Sequence, residues 1–131
     1  MSIRVDKEWG TEYWLCNEAE YCCKRLVIAV GKQCSLHCHK VKKETFIVES
    51  GTVKMETMLP SNSHDPLLQH KANFFMEAGQ SVTIQPYTYH RFASASDEVG
   101  AVILEVSTHH SDEDVVRLQP SGDKTEDWNV R

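Results

Sequence analysis

Short runs of β-branched and aromatic residues recur along most of this 131-residue chain, and turn-forming residues separate them. The runs lie at 25–30, 45–48, 51–58, 81–85, 90–93 and 101–107, with turn formers at 31–32, 50–51, 78–79, 86–87 and 97–100. No apolar stripe of helical periodicity extends beyond about two turns. Many short strands separated in this way are typical of an antiparallel sandwich or barrel. The sequence therefore predicts an all-β fold.

Length and charge limit the classes of protein that fit. A chain of 131 residues is long enough for one domain and short for two. We expect a single domain over 1–131, with a barrel core at about 9–108 and an acidic C-terminal extension at 109–131. The net charge of −5 offers no basic field for nucleic acid or an anionic membrane surface. No apolar run approaches the roughly 20 residues of a membrane-spanning helix, so neither partner is expected.

The cysteines indicate a cellular compartment. There are five, an odd number, and Cys22 and Cys23 are adjacent in the sequence. None of the spacings is that of a zinc ribbon, and the first ten residues carry no apolar stretch that could serve as a signal peptide. Reduced thiols in the cytoplasm fit these features best.

The main chemical signal is a group of histidines and carboxylates. His37 and His39 are two residues apart, so on a strand both side chains leave the same face. The polar residues 40–43 supply a turn, and Glu44 then begins the returning strand. His90, in the second half of the chain, faces these residues if the barrel closes. Imidazole and carboxylate suit one divalent ion of manganese, iron, nickel, cobalt or zinc. The alternative is that these histidines are surface or core residues without a metal.

Glu105 lies in an apolar run and shares one face of its strand with Ile103 and Ser107. A carboxylate there must be exposed, paired or functional, because burial without a partner is costly. If that face lines the barrel, Glu105 is the best second carboxylate and a candidate general base. If it points outward, a metal-bound water is the better candidate.

The stretch from Gly31 to Gly51 has the spacing G-x5-H-x-H-x4-E-x6-G and matches the first motif of the cupin superfamily residue for residue. The second motif is matched at its ends, Gly79 and His90. Its internal proline, Pro86, lies one place late, and the next position, usually glycine, is tyrosine. This resemblance implies a jelly-roll barrel, also called a double-stranded β-helix. It also implies four metal ligands, His37, His39, Glu44 and His90, and a homodimer.

Within the superfamily the chain resembles the cupin domain of type II mannose-6-phosphate isomerases from Trp9 to Arg117, although those enzymes have Gln in place of His37. The D-lyxose isomerases are a second comparison. The matching positions are Trp9-Gly10, Lys24-Arg25-Leu26, Ser35-Leu36, Val53, Ser81, His90-Arg91, Leu104-Glu105-Val106 and 113–117. The resemblance implies a small-molecule sugar or sugar phosphate as the ligand. Candidate substrate-binding residues are Arg117 in the matching tail, Lys43 in the turn, and Tyr87 and Tyr89 at the expected rim.

Three functions remain open from the sequence. A metal-dependent aldose–ketose isomerase needs a Lewis acid for the carbonyl and a base to move a proton, which the four ligands and Glu105 could supply. An iron-dependent small-molecule dioxygenase could use the same ligands. A non-catalytic, carbohydrate-binding cupin would need no second catalytic group.

Overall fold

The computed structural model describes residues 3–59 and 70–125, and within these ranges the chain is built from β-strands without a helix. The expectation of an all-β fold is therefore confirmed. The strands are β1 (Ile3–Lys7), β2 (Gly10–Asn17), β3 (Cys22–Ile28), β4 (Lys32–Gln33), β5 (Leu36–Cys38), β6 (Glu44–Ser50), β7 (Thr52–Leu59), β8 (His70–Glu77), β9 (Ser81–Ile84), β10 (Tyr89–Ser94), β11 (Ala101–Ser107), β12 (Val116–Gln119) and β13 (Gly122–Asp123).

The strands form two antiparallel sheets. The first sheet has the order β1-β2-β3-β11-β6-β9. The second contains β12-β5-β10-β4-β13 in that order, and β10 also pairs with β7, which pairs in turn with β8. Strands that are distant in sequence thus lie side by side, as in a jelly roll. The part of the extension that the structure describes supplies β12 and β13 to the second sheet.

The two sheets pack face to face around one apolar core. Alternate residues of β3, β6 and β11 are buried, as the two-residue period of a strand requires. The aromatic centre of the core is Phe92, whose ring lies 5.0 Å from that of Trp9 and 5.8 Å from that of Phe46. Burial of one large apolar side chain stabilises a fold by about 1.5–3 kcal/mol. Phe46 also lies 5.8 Å from the ring of His90, so the core ends where the polar residues begin.

A tight turn at Gly51 takes the chain from β6 in the first sheet to β7 in the second. Its φ is 76°, in the left-handed region, and a Cβ there would lie 2.7 Å from the carbonyl oxygen of Gly100. A side chain would therefore be both strained and blocked by backbone. This glycine allows the strand that carries Glu44 to pass directly into the facing sheet.

No helix in the described ranges is long and apolar enough to span a membrane.

Candidate metal centre

The four predicted ligands come from both sheets and meet at one end of the barrel. His37 lies in β5, and His39 follows that strand directly. His90 lies in β10 and is the register partner of His37. Glu44 begins β6 in the opposite sheet and is 2% exposed, while His90 is fully buried. The folded chain therefore brings three imidazoles and one carboxylate into a single cluster, in which all but the partly exposed His37 are buried.

The imidazole rings are held by hydrogen bonds on the side away from the cluster. In each ring Nδ1 donates to a backbone carbonyl oxygen, so Nε2 carries the lone pair and points toward the other rings. The acceptors are Ser35 for His37 (2.7 Å), Asp114 for His39 (2.7 Å) and Thr88 for His90 (3.0 Å). This tautomer is the one that a nitrogen-bound metal ion requires.

The nitrogen atoms of His37, His39 and His90 that could act as ligands lie within 4.8 Å of one another, which makes these residues a potential three-histidine metal site. Glu44 Oε2 lies 3.1 Å from His39 Nε2 and 3.6 Å from His90 Nε2. Among the described residues, Glu44 Oε2 and His90 Nε2 are buried atoms without a hydrogen-bond partner. Such atoms are costly inside a protein unless a ligand satisfies them. A cation among them would do so, and the donor set therefore fits a divalent metal.

The protonation of the clustered groups is also compatible with a bound metal ion. Burial, together with the neighbouring His90 and His39, lowers the pKa of His37 well below its usual value, so this ring is neutral. Burial raises the pKa of Glu44, but His90 and His39 outweigh it, and the carboxyl group remains ionised. Burial lowers the pKa of His90, but the Glu44 carboxylate outweighs it and raises the pKa. A proton and a metal ion therefore compete for His90 Nε2.

A cavity of about 100 Å³ opens beside the cluster, with room for several water molecules. Glu105 lines it, as expected if its strand face turns inward, and is 5% exposed. Lys42 Nζ donates to Glu105 Oε2 at 3.0 Å and to His110 Nδ1 at 3.1 Å, and lies 4.0 Å from Glu44 Oε1. A carboxylate and an ammonium group thus lie in the same cavity as the potential metal ligands.

Residues 24–107, well over half of the chain, match the family model described as Cupin domain. This chain belongs to the cupin family. Among curated protein sequences, none matches it at a significant level.

Solved structures share the fold of this cupin. The capsular polysaccharide assembling protein CapF from Staphylococcus aureus is 15% identical, with a TM-score of 0.75 over 91% of this chain and 32% of that chain. The oxalate decarboxylase of Lactobacillus farciminis is 16% identical, with a TM-score of 0.72 over 89% of this chain and 34% of that one. That of Bacillus subtilis, described with Mn(II) centres, is 20% identical, with a TM-score of 0.71 over 88% and 29%. At these identities the likeness shows the fold alone, and this cupin spans about a third of the length of these proteins.

The predicted substrate-binding residues separate into two groups. Arg117 lines the cavity beside Glu105, and its register partner on β5 is His37. Lys43, Tyr87 and Tyr89 are not among the lining residues. Lys43 is exposed and directly precedes Glu44, the first inward-facing residue of β6. Tyr89 precedes the inward-facing His90 and turns away because successive side chains of a strand point to opposite faces.

Tyr87 has a backbone role in this cupin. Its φ is 65°, the left-handed conformation usually left to glycine. Its N–H donates to the carbonyl oxygen of His39 at 2.7 Å, which ties the turn before His90 to the end of β5, where the other two histidines lie. The turn of the second cupin motif is therefore kept although its glycine is replaced, and the side chain of Tyr87 is 55% exposed.

The cavity also contains three titratable residues that were not predicted from the sequence: Lys24, Lys42 and His110. The two-residue alternation of side chains along a strand could have indicated two of them. Lys24 shares a face with Leu26 and Ile28, and Lys42 lies two residues before the inward-facing Glu44. Burial and the two neighbouring lysines lower the pKa of His110 to about 4, so its ring is neutral and accepts the hydrogen bond from Lys42.

Proposed function

We propose that this cupin is a metal-dependent sugar or sugar-phosphate isomerase that interconverts an aldose and a ketose. The observation that carries the proposal is the position of Glu105, whose carboxylate lines the same cavity as His37, His39 and Glu44. Aldose–ketose isomerisation needs an electrophile at the carbonyl oxygen and a base near the adjacent carbon, and this cavity offers groups for both.

One divalent ion would be held by Nε2 of the three histidines and by the carboxylate of Glu44. When bound, it supplies a Lewis acid that polarises the substrate carbonyl. The mixture of imidazole and carboxylate ligands is compatible with manganese, iron, cobalt, nickel or zinc.

Glu105 is proposed as the base. The hydrogen bond from Lys42 occupies Oε2 and fixes the carboxylate, whereas Oε1 makes no hydrogen bond with the described residues. Oε1 is therefore the oxygen that would take a proton from the hydroxyl-bearing carbon next to the carbonyl and return it to the former carbonyl carbon. The hydroxyl proton would pass to the former carbonyl oxygen, so that the new carbonyl forms at the adjacent carbon. Lys42 acts as a positioning residue that holds this carboxylate in the cavity.

The test is an isomerase assay on the metal-loaded protein with a panel of aldoses and their phosphates. Glu105→Gln keeps the shape of the side chain and cannot accept the proton, so turnover should fall by about 10²–10⁴-fold with metal binding unchanged. The matched control, Glu98→Gln, changes an exposed carboxylate outside the cavity. Turnover by Glu105→Gln equal to wild type would remove Glu105 from the mechanism. Oxygen consumption with Fe(II), or sugar binding without turnover, would instead indicate a dioxygenase or a binding protein.

We also propose a reducing compartment and a homodimer for this cupin. The five cysteines are free thiols, which is consistent with a reducing compartment such as the cytoplasm. A homodimer is proposed from the family resemblance, and the outer face of the first sheet exposes Val27 and Val106.

A further inference from the structure

Lys24 is a buried cation that the proposed mechanism does not use. It lies on the inward face of β3 between Cys22 and Leu26, both buried, and its side chain is 3% exposed. Taking an ammonium group out of water costs several kcal/mol unless close partners replace the lost hydration. The position therefore calls for a partner.

The described residues give Lys24 one ion pair and one contact with an aromatic ring, but no hydrogen bond. Lys24 Nζ lies 3.7 Å from Glu12 Oε1, beyond hydrogen-bond distance, and 4.1 Å from the centre of the Trp14 ring. Glu12 Oε1 already accepts a hydrogen bond from Trp14 Nε1 at 2.9 Å. Lys24 makes no hydrogen bond within the described parts of the chain, and it lines the cavity. Its N–H donors are therefore available to a molecule in that cavity.

The charges around the cavity indicate the sign of that molecule. Glu105, on β11, is the register partner of Lys24. Lys42, which precedes β6, forms an ion pair with the same carboxylate. The described cationic side chains of the lining equal the carboxylates in number: Lys7, Lys24, Lys42 and Arg117 against Glu12, Glu44, Glu105 and Asp112. A divalent ion at the histidines would leave two positive charges in excess. An anionic ligand would neutralise them.

We propose that Lys24 is the anchor of an anion subsite, and that the cavity takes a substrate carrying a carboxylate or a phosphate group. The oxyanion would accept hydrogen bonds from Lys24 Nζ, while another oxygen of the same molecule faces the metal centre. The second contact rests on the proposed function, whereas the first does not require a bound metal. A hydroxyl oxygen of a neutral sugar could accept a hydrogen bond from Lys24, but it would not offset the positive charge.

The test measures binding of inorganic phosphate and, separately, of malonate to the metal-free and the Mn²⁺-loaded protein by calorimetry. Lys24→Met removes the charge at similar length and should weaken binding of the preferred anion by at least about tenfold, because a hydrogen bond to a charged group is lost. Lys43→Met is the matched control, since Lys43 is exposed outside the cavity. The anion that binds with the higher affinity identifies whether the subsite takes a phosphate or a carboxylate group.

A second variant keeps the inference testable if Lys24→Met does not fold. Glu12→Gln removes the carboxylate nearest to Lys24 and should tighten anion binding. Unchanged binding in Lys24→Met, equal losses in Lys24→Met and Lys43→Met, or weaker binding in Glu12→Gln would each overturn the inference. Loss of anion binding in Lys24→Met without any isomerase turnover in the wild type would support the anion subsite and contradict only the proposed reaction.

Discussion

At the scale of single residues, the candidate centre depends on hydrogen bonds that its imidazole rings make through Nδ1, on the side away from the centre. Each imidazole is oriented by a backbone carbonyl that accepts from Nδ1, and those carbonyls belong to Ser35, Thr88 and Asp114. Outer hydrogen bonds of this kind fix the tautomer and the ring direction, and disturbing them typically costs about 10–100-fold in metal affinity. The buried imidazole of His110, beside this centre, is a source of pH dependence.

His110 provides a test of that dependence. Burial, Lys24 and Lys42 lower its pKa to about 4, from an ordinary value near 6.5. Between these two values the unfolded chain binds more protons at this group than the folded chain does, so stability falls as the pH drops from about 6.5 to about 4. We expect His110→Gln to lose less thermal stability over this range than the wild type, measured by metal-free melting curves. An identical loss in both proteins would contradict this assignment.

At the scale of elements, the segment before β12 connects the C-terminal part of the chain to the metal centre. The carbonyl oxygen of Asp114 accepts from His39 Nδ1, and its carboxylate accepts from the backbone N–H groups of residues 40, 41 and 42 at 2.7–3.2 Å. One residue thus holds both an imidazole and the turn that leads to Lys42 and Glu44.

We expect Asp114→Ala to destabilise the fold by about 1–3 kcal/mol, because three backbone donors lose a charged acceptor. Metal affinity should fall as well, because the turn between His39 and Glu44 is no longer held, although the backbone carbonyl that accepts from His39 remains. Asp114→Asn retains one side-chain acceptor, so its stability and its metal affinity should lie between those of the wild type and of Asp114→Ala. Glu113→Ala, at the exposed neighbouring position, is the control for chemical denaturation and metal titration. Equal stability of Asp114→Ala and Glu113→Ala would show that this segment does not support the centre.

At the scale of the whole molecule, periodicity explains what the sequence could predict. Strand alternation predicted that Glu105 shares one face of β11 with Ile103 and Ser107, and the structure confirms this, since all three are buried. The spacing of His37 and His39 predicted that both side chains leave one face of a strand, and their rings lie 5.1 Å apart. The strand that returns after the turn, β6, does not pair with β5 but joins the opposite sheet.

Other elements lacked such a signal. β2 contains polar and aromatic residues without a buried alternating face, and its exposure is intermediate along most of its length. The pairing of β12 with β5 joins residues about 80 positions apart, which local pattern does not encode. In the sequence, Lys24 is one of two adjacent cations before an apolar run, and only the fold shows that it faces inward beside Glu105. The sequence alone therefore did not predict contacts between strands that are far apart along the chain.

The central claim is that one divalent ion lies among His37, His39, Glu44 and His90. The most direct test is calorimetric titration of the metal-free protein with Mn²⁺, a hard cation that disfavours the five thiols as ligands. We predict one ion per chain, and stabilisation by about 2.7 kcal/mol at a concentration 100-fold above the dissociation constant. His90→Ala should bind at least about tenfold more weakly, while His109→Ala, at an exposed position, should bind like the wild type. No binding by the wild type, or equal binding by His90→Ala, would contradict the account.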